Sequence, residues 1–141
     1  MVGFGNDFDN KKQNIKKSIN RNTEKLIHQA FLLHSQGNIR EALKNYKYCI
    51  DAGVNDDRIY SNYGLILKSF GKIKQAEKLL RKAIEINPDS FTTHTNLGTI
   101  LKDLKSFSEA EICYRKAIKI NSNFSLAYTN LGNLLRELKN F

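Results

Sequence analysis

The sequence predicts an all-α fold, a solenoid of stacked helix–turn–helix units amounting to about three and a half repeats. Two observations carry that expectation. The phrase TNLGTILKDL, which begins at Thr95, returns as TNLGNLLREL from Thr129, 34 residues later. Within each such interval the apolar residues also fall into two runs of helical spacing, separated by a glycine or a polar pair.

With Thr23 as slot one, four blocks align without a gap: 23–56, 57–90, 91–124 and 125–141. Residues 1–22 precede them. This segment is polar and rich in Asn and Lys, and its Ile15 and Ile19 fit either a helix covering the first repeat or a flexible basic arm. Slot eight of the blocks is small (Ala30, Gly64, Gly98, Gly132) and slot eleven is leucine (Leu33, Leu67, Leu101, Leu135). In the second run, slot twenty is alanine (Ala42, Ala76, Ala110), slot twenty-four is large (Tyr46, Leu80, Tyr114) and slot twenty-seven is small (Cys49, Ala83, Ala117). Small residues facing large ones let two helices approach closely. The pairs Gly37-Asn38, Gly71-Lys72, Lys105-Ser106 and Lys139-Asn140 mark where each first helix ends. Pro88 follows Asn87, where the second helix of its block should stop.

Composition narrows the class. A chain of 141 residues, 40% of them hydrophobic, fits one soluble domain. Charged or polar residues interrupt every apolar run before the roughly 20 residues of a membrane span, and the N-terminus lacks the apolar core of a secretory signal. The expected compartment is the cytoplasm, with no membrane partner. Cys49 and Cys113 are spaced for neither a metal site nor a disulfide scaffold and read as buried thiols. The net charge of +9 is spread along the chain, densest at Lys11, Lys12, Lys16, Lys17 and Arg21.

These repeats resemble the tetratricopeptide family, whose pattern sets an aromatic, then Leu-Gly, a large residue, a later Ala and aromatic, and Pro at fixed offsets. The second block supplies Tyr60, Tyr63-Gly64, Leu67, Ala76, Leu80 and Pro88; the third supplies His94, Leu97-Gly98, Leu101, Ala110 and Tyr114, with Ser122 in place of Pro. The first block is more worn, with Leu26, Gln29-Ala30, Leu33, Ala42 and Tyr46, and the fourth offers Tyr128, Leu131-Gly132 and Leu135. The resemblance implies a right-handed superhelix whose first helices line a concave groove, and a non-catalytic scaffold for protein partners. The phrases Asn62-Tyr63-Gly64, Asn96-Leu97-Gly98 and Asn130-Leu131-Gly132 are similar to the variant found in front of glycosyltransferase and other transferase domains. That likeness implies an alternative, a substrate-presenting array of a larger transferase.

At about 100° per residue, slots four, seven, eight, eleven and fourteen share the apolar arc, and slots two, six, nine and thirteen face the groove. Slot six holds His28, Asn62, Asn96 and Asn130, and slot twelve, at the groove edge, holds His34, Lys68, Lys102 and Arg136. A carboxamide both donates and accepts, so it pairs with a peptide N–H and C=O whatever the side chains of that peptide. A ladder of them would hold an extended client by its backbone, or else bond neighbouring helices and water. Lys68, Lys102 and Arg136 would favour an acidic client, or else form a solvated face. Lys47, Arg81, Lys82, Arg115 and Lys116 point away from the groove and read as solubilising.

Three further classes fit less well. Family members that clamp a chaperone's C-terminal carboxylate use Lys and Asn in their first repeat, then Asn, then Lys and Arg; the matching positions here are Ile27 and Phe31, Asn62, and Thr92 and Asn96. RNA reading by helical repeats needs base-stacking side chains in each repeat, and slot nine provides only Phe31 before Leu65, Thr99 and Asn133. Catalysis, cofactor and metal binding lack residues: His28, His34 and His94 have no carboxylate or cysteine at useful spacing, and His94 reads as a packed aromatic.

The fourth block ends after its first helix. Leu131, Leu134, Leu135, Leu138 and Phe141 are expected to lack the helix that normally covers them; an uncovered patch on the order of 300 Å² forgoes roughly 7 kcal/mol of burial. Self-association, a partner helix or a continuation of the chain would cover it.

Overall fold

The computed structural model describes residues 4–140, with the side chains of residues 7–14 and 21–140. Among them are seven helices and no strand: α1 (Phe4–Ser35), α2 (Ile39–Asp51), α3 (Asp57–Ser69), α4 (Ile73–Ile86), α5 (Phe91–Asp103), α6 (Phe107–Ile120) and α7 (Ser125–Lys139). None is long and apolar enough to cross a membrane. The fold is an all-α helical repeat in which α3 pairs with α4 and α5 with α6 as antiparallel neighbours. Where one domain was expected, the chain divides into two compact units, Met1–Val54 and Asn55–Phe141. Repeats depend on their immediate neighbours and not on a shared centre, so a repeat array has no requirement for one contact network.

In the first unit, α1 runs through residues 22 and 23 without a break, so the first repeat begins inside one continuous helix. The side chains of Ile15, Ile19, Lys16 and Lys17 lie outside the described residues, as does Phe141. Helix α2 covers α1 with Ala42, Tyr46 and Cys49, all fully buried. His34 Nδ1 lies 3.2 Å from the Tyr46 hydroxyl, with the two rings edge to face.

The turn inside each repeat is the same hydrogen-bonded cap. After α3, Gly71 N–H donates to Lys68 O and Lys72 N–H to Leu67 O; after α5, Lys105 N–H donates to Lys102 O and Ser106 N–H to Leu101 O. This six-to-one plus five-to-two pattern needs a left-handed residue, which glycine adopts freely. Gly37 and Gly71 supply it, and Lys105 takes the same conformation at φ 63° despite its side chain.

Two helix starts in the second unit, those of α3 and α5, carry side-chain caps. Asp56 accepts from Arg58 N–H at 3.0 Å and Ser90 from Thr93 N–H at 3.3 Å, each filling a donor that the first turn leaves open. Arg58 also binds the Asp56 carboxylate, and that hydrogen bond holds its pKa below the usual carboxylate range. Helix α4 stops at Ile86, with Asn87 as its cap and Pro88 beyond.

The core of the second unit joins Leu67, Leu80, Leu97, Leu101 and Tyr114 to Leu131 and Leu134. It corrects the expectation at the C-terminal helix. Leu131 and Leu134 are buried, while Leu135 stays 36% exposed and Tyr128 48% exposed. The reason is a second packing row. Slots three and ten (Ile59 and Ile66, Thr93 and Ile100, Ala127 and Leu134) are buried in α3, α5 and α7 alike, including in α7, which has no second helix to cover it among the described residues. In α7 this row therefore packs on the preceding repeat, and slots eight and eleven are the row that receives the helix's own partner. Helix α1 shows the inverse: Ala30 at slot eight is buried, whereas Leu32 at slot ten is 48% exposed.

Candidate functional site

Helix α5 lies in contact with both α3 and α7, so the first helices of the second unit form one continuous row. Asn62, Asn96 and Asn130 sit at the same slot on the three, each half-buried. His28 holds that slot in the first unit, on the exposed side of α1.

The three carboxamides are not equivalent. Asn130 Nδ2 donates to Thr99 Oγ1 at 3.4 Å, across to the helix before it. Thr99 also accepts from the Tyr114 hydroxyl at 3.3 Å and donates to Thr95 O at 3.1 Å, so both of its lone-pair sites and its proton are used. One repeat earlier the residue matching Thr99 is Leu65, which offers no acceptor. Asn96 accordingly makes no side-chain hydrogen bond among the described residues and keeps its donors and acceptor available. Asn62 has an interaction of its own.

The basic row is engaged within the chain. Lys68 Nζ lies 3.3 Å from Asp103 and Lys102 Nζ 3.4 Å from Glu137, each bridging to the first helix of the next repeat. These acidic partners occupy slot thirteen, so two neighbouring rows of the groove edge interlock into a charge ladder. Arg136, exposed at the end of the row, donates to Asn133 Oδ1 at 3.0 Å.

Arg81 also does more than keep the surface soluble. It binds Glu77 one turn back and Glu109 of the next repeat, both at 2.9 Å, tying α4 to α6. His94 is buried, with Nε2 2.8 Å from Pro88 O, a packed ring anchored to the preceding loop. Both cysteines are buried, and burial pushes the Cys113 thiol up to about 11.

Sequence alone did not find Thr99 as the junction of these contacts. The signal was present in the offset of 31 residues between Thr99 and Asn130, but it becomes meaningful only once α5 and α7 are known to be neighbours.

Three family models, each described as tetratricopeptide repeat, match residues 57–90, 91–124 and 113–141. Together they run from residue 57 to the end, more than half of the chain. The chain belongs to the tetratricopeptide repeat family. Solved structures share its fold. The first tetratricopeptide domain of Spaghetti (RPAP3), bound to the HSP90 peptide SRMEEVD, is 20% identical with a TM-score of 0.77, over 83% of this chain and 93% of that one. The Arabidopsis OM64 tetratricopeptide domain is 18% identical with a TM-score of 0.74, over 81% of this chain and 94% of that one. MamA is 18% identical with a TM-score of 0.78, over 99% of this chain and 86% of its own. No curated protein matches the chain. At such identities the likeness concerns the fold, and the tetratricopeptide surface of this chain has to be judged on its own residues.

Proposed function

We propose that this tetratricopeptide protein is a non-catalytic protein-interaction scaffold that holds an extended peptide along the first-helix row of its second unit. The observation that carries this reading is the placement of Asn62, Asn96 and Asn130 at one slot of three adjacent helices, with Asn96 unengaged. Side-chain amides so spaced bind a peptide by its N–H and C=O groups and tolerate varied side chains. His28 holds the matching slot of the first unit. The RPAP3 domain, of the same fold, is bound to a peptide. Capture of a chaperone's terminal carboxylate is not part of this reading, because the positions that would hold it are Ile27, Phe31, Asn62, Thr92 and Asn96 in this chain, of which only Asn62 matches.

Acidic clients fit the basic row by exchange. Lys68 and Lys102 would trade Asp103 and Glu137 for a client's carboxylates, while Arg136 needs to release only a neutral asparagine. The phrase Asn-x-Gly, recurring with its asparagine on the row, favours a second reading in which the client is the substrate of a transferase that this array serves.

The test is peptide selection from a displayed random library, followed by affinity measurement on the best binder. Replacing all three asparagines by alanine should weaken it by about 2–4 kcal/mol at roughly 1 kcal/mol per hydrogen bond, with helicity unchanged. N-methylation of the peptide backbone should weaken it as well. A binder that ignores both changes would rule out backbone capture.

A further inference from the structure

Two steps of the asparagine row are built from the same slots and differ in chemistry. Across an offset of 31 residues, slot nine of one repeat meets slot six of the next, where Thr99 receives the Asn130 amide at 3.4 Å. Thr99 is closed further by the Tyr114 hydroxyl at 3.3 Å and by its own bond to Thr95 O at 3.1 Å. The same offset one repeat earlier puts Leu65 in register with Asn96. There the slot of Tyr114 is taken by Leu80, fully buried, so neither matching residue brings an oxygen or a proton to the carboxamide. Leu65 and Asn96 are both half-buried, and Asn96 makes no side-chain hydrogen bond among the described residues.

We infer that the Leu65–Asn96 step is the specificity-determining subsite of the groove, one that takes a client residue with an apolar side chain. Asn96 pairs with the backbone N–H and C=O of that residue, and Leu65 receives its side chain. A carboxamide can satisfy both backbone groups at once, and partial exclusion of water strengthens those bonds. The side chain of the same residue then lies on carbon and not on a hydroxyl, and only an apolar side chain gains from leaving water there. The inference rests on the row being a peptide groove and goes past it, because asparagines alone tolerate any side chain. The Thr99–Asn130 step is already bonded within the chain and adds no apolar preference. The groove therefore asks for one apolar residue at one position of its client, not for a repeating pattern.

The probe is a displayed library of short random peptides, selected in parallel on the full parent chain, on Leu65→Thr and on Leu65→Met. Threonine is the residue α5 carries at this slot, and methionine keeps an apolar wall of like volume, so both variants should fold, which thermal denaturation checks. Leu65→Asn, after the residue that α7 carries there, stands in should Leu65→Thr melt early. Peptides from the parent and Leu65→Met should share an aliphatic, Met or Phe residue at one position, and peptides from Leu65→Thr should lose it. Serine at that position of the best parent binder should weaken it at least about tenfold on the parent and on Leu65→Met, but no more than about twofold on Leu65→Thr. N-methylation of the same residue should weaken binding to the parent and not to Asn96→Ala. Binders with no apolar position, or a serine effect equal on all chains, would overturn the subsite; the groove itself would stand if the triple asparagine variant still lost them. Binders indifferent to the three asparagines would overturn the groove reading, and a library that returns no binder would overturn both.

Discussion

The Tyr114 ring occupies the space beside Gly98 where any other residue would carry a side chain, with Cε1 only 2.6 Å from the Cβ position. Tyr114 is itself fixed, buried in the core and bonded to Thr99. A methyl at Gly98 therefore forces the ring or α6 to move. Gly98→Ala should destabilise the protein by about 1–3 kcal/mol, the usual range for overpacking, despite the better helix propensity of alanine. At Gly132, where the space is open, the same substitution should stabilise by up to about 1 kcal/mol. Urea denaturation of the two variants checks the contrast, and equal effects would mean that the two slots share one environment.

Much of this was legible in the sequence, because the slots that pack a first helix on its own partner pair small residues with large ones. Gly98 with Tyr114 is such a pair. The second packing row was not legible. Its slot three holds Lys25, Ile59, Thr93 and Ala127, four residues with no common size or polarity, yet the last three are fully buried. Thr93 is tolerated there because its hydroxyl bonds to Ser90 at 2.8 Å. The groove-edge charges show the same limit. Lys68 and Asp103 are each visible as members of a row, but their bridge depends on the stagger between neighbouring helices, which no single repeat encodes.

Within the asparagine row, a structural role and the proposed client contact are expected to fall on different residues. Asn130→Ala removes a long bond to Thr99 and should cost about 0.5–1 kcal/mol of stability. Asn96→Ala breaks nothing among the described residues, so its stability should stay within about 0.5 kcal/mol of the parent while affinity for a selected peptide falls. Thermal denaturation alongside peptide titration distinguishes the two. A large stability loss at Asn96 would move that residue from the binding surface to the fold.

Lys105 stands where the two earlier repeats place Gly37 and Gly71, and it holds a left-handed φ of 63°. For a residue with a Cβ that conformation costs roughly 1–2 kcal/mol. The cation lies 5.7 Å from the centre of the Phe107 ring, which offsets some of the strain. Lys105→Gly should raise stability by about 0.5–1 kcal/mol, and a fall would show that the ring contact outweighs the backbone.

Burial raises the Cys113 thiol to about 11, above the ordinary value near about 8.5. The folded state thus holds the proton more tightly than the unfolded chain does. Its contribution to stability is complete below about pH 8.5 and is lost as pH climbs toward 11. Stability measured across that window should fall less steeply in Cys113→Ala than in the parent. At neutral pH both buried thiols should react slowly with a disulfide reagent until denaturant is added.

The Lys102–Glu137 bridge couples neighbouring repeats through side chains that are each about one-third exposed, at 32% and 33%. Such a pair is partly screened, so its strength should be modest, about 0.2–1 kcal/mol in a double-mutant cycle of Lys102→Ala and Glu137→Ala. Raising salt from about 0.05 to 1 M shortens the screening length from over 10 Å to about 3 Å and should erode most of that coupling. The same cycle run with a bound acidic peptide tests exchange on the basic row. If a client's carboxylate takes Lys102, the coupling to Glu137 vanishes in the complex and Glu137→Ala tightens binding by removing the competitor. A coupling unchanged by the peptide would show that the ladder belongs to the fold and that acidic clients are chosen elsewhere.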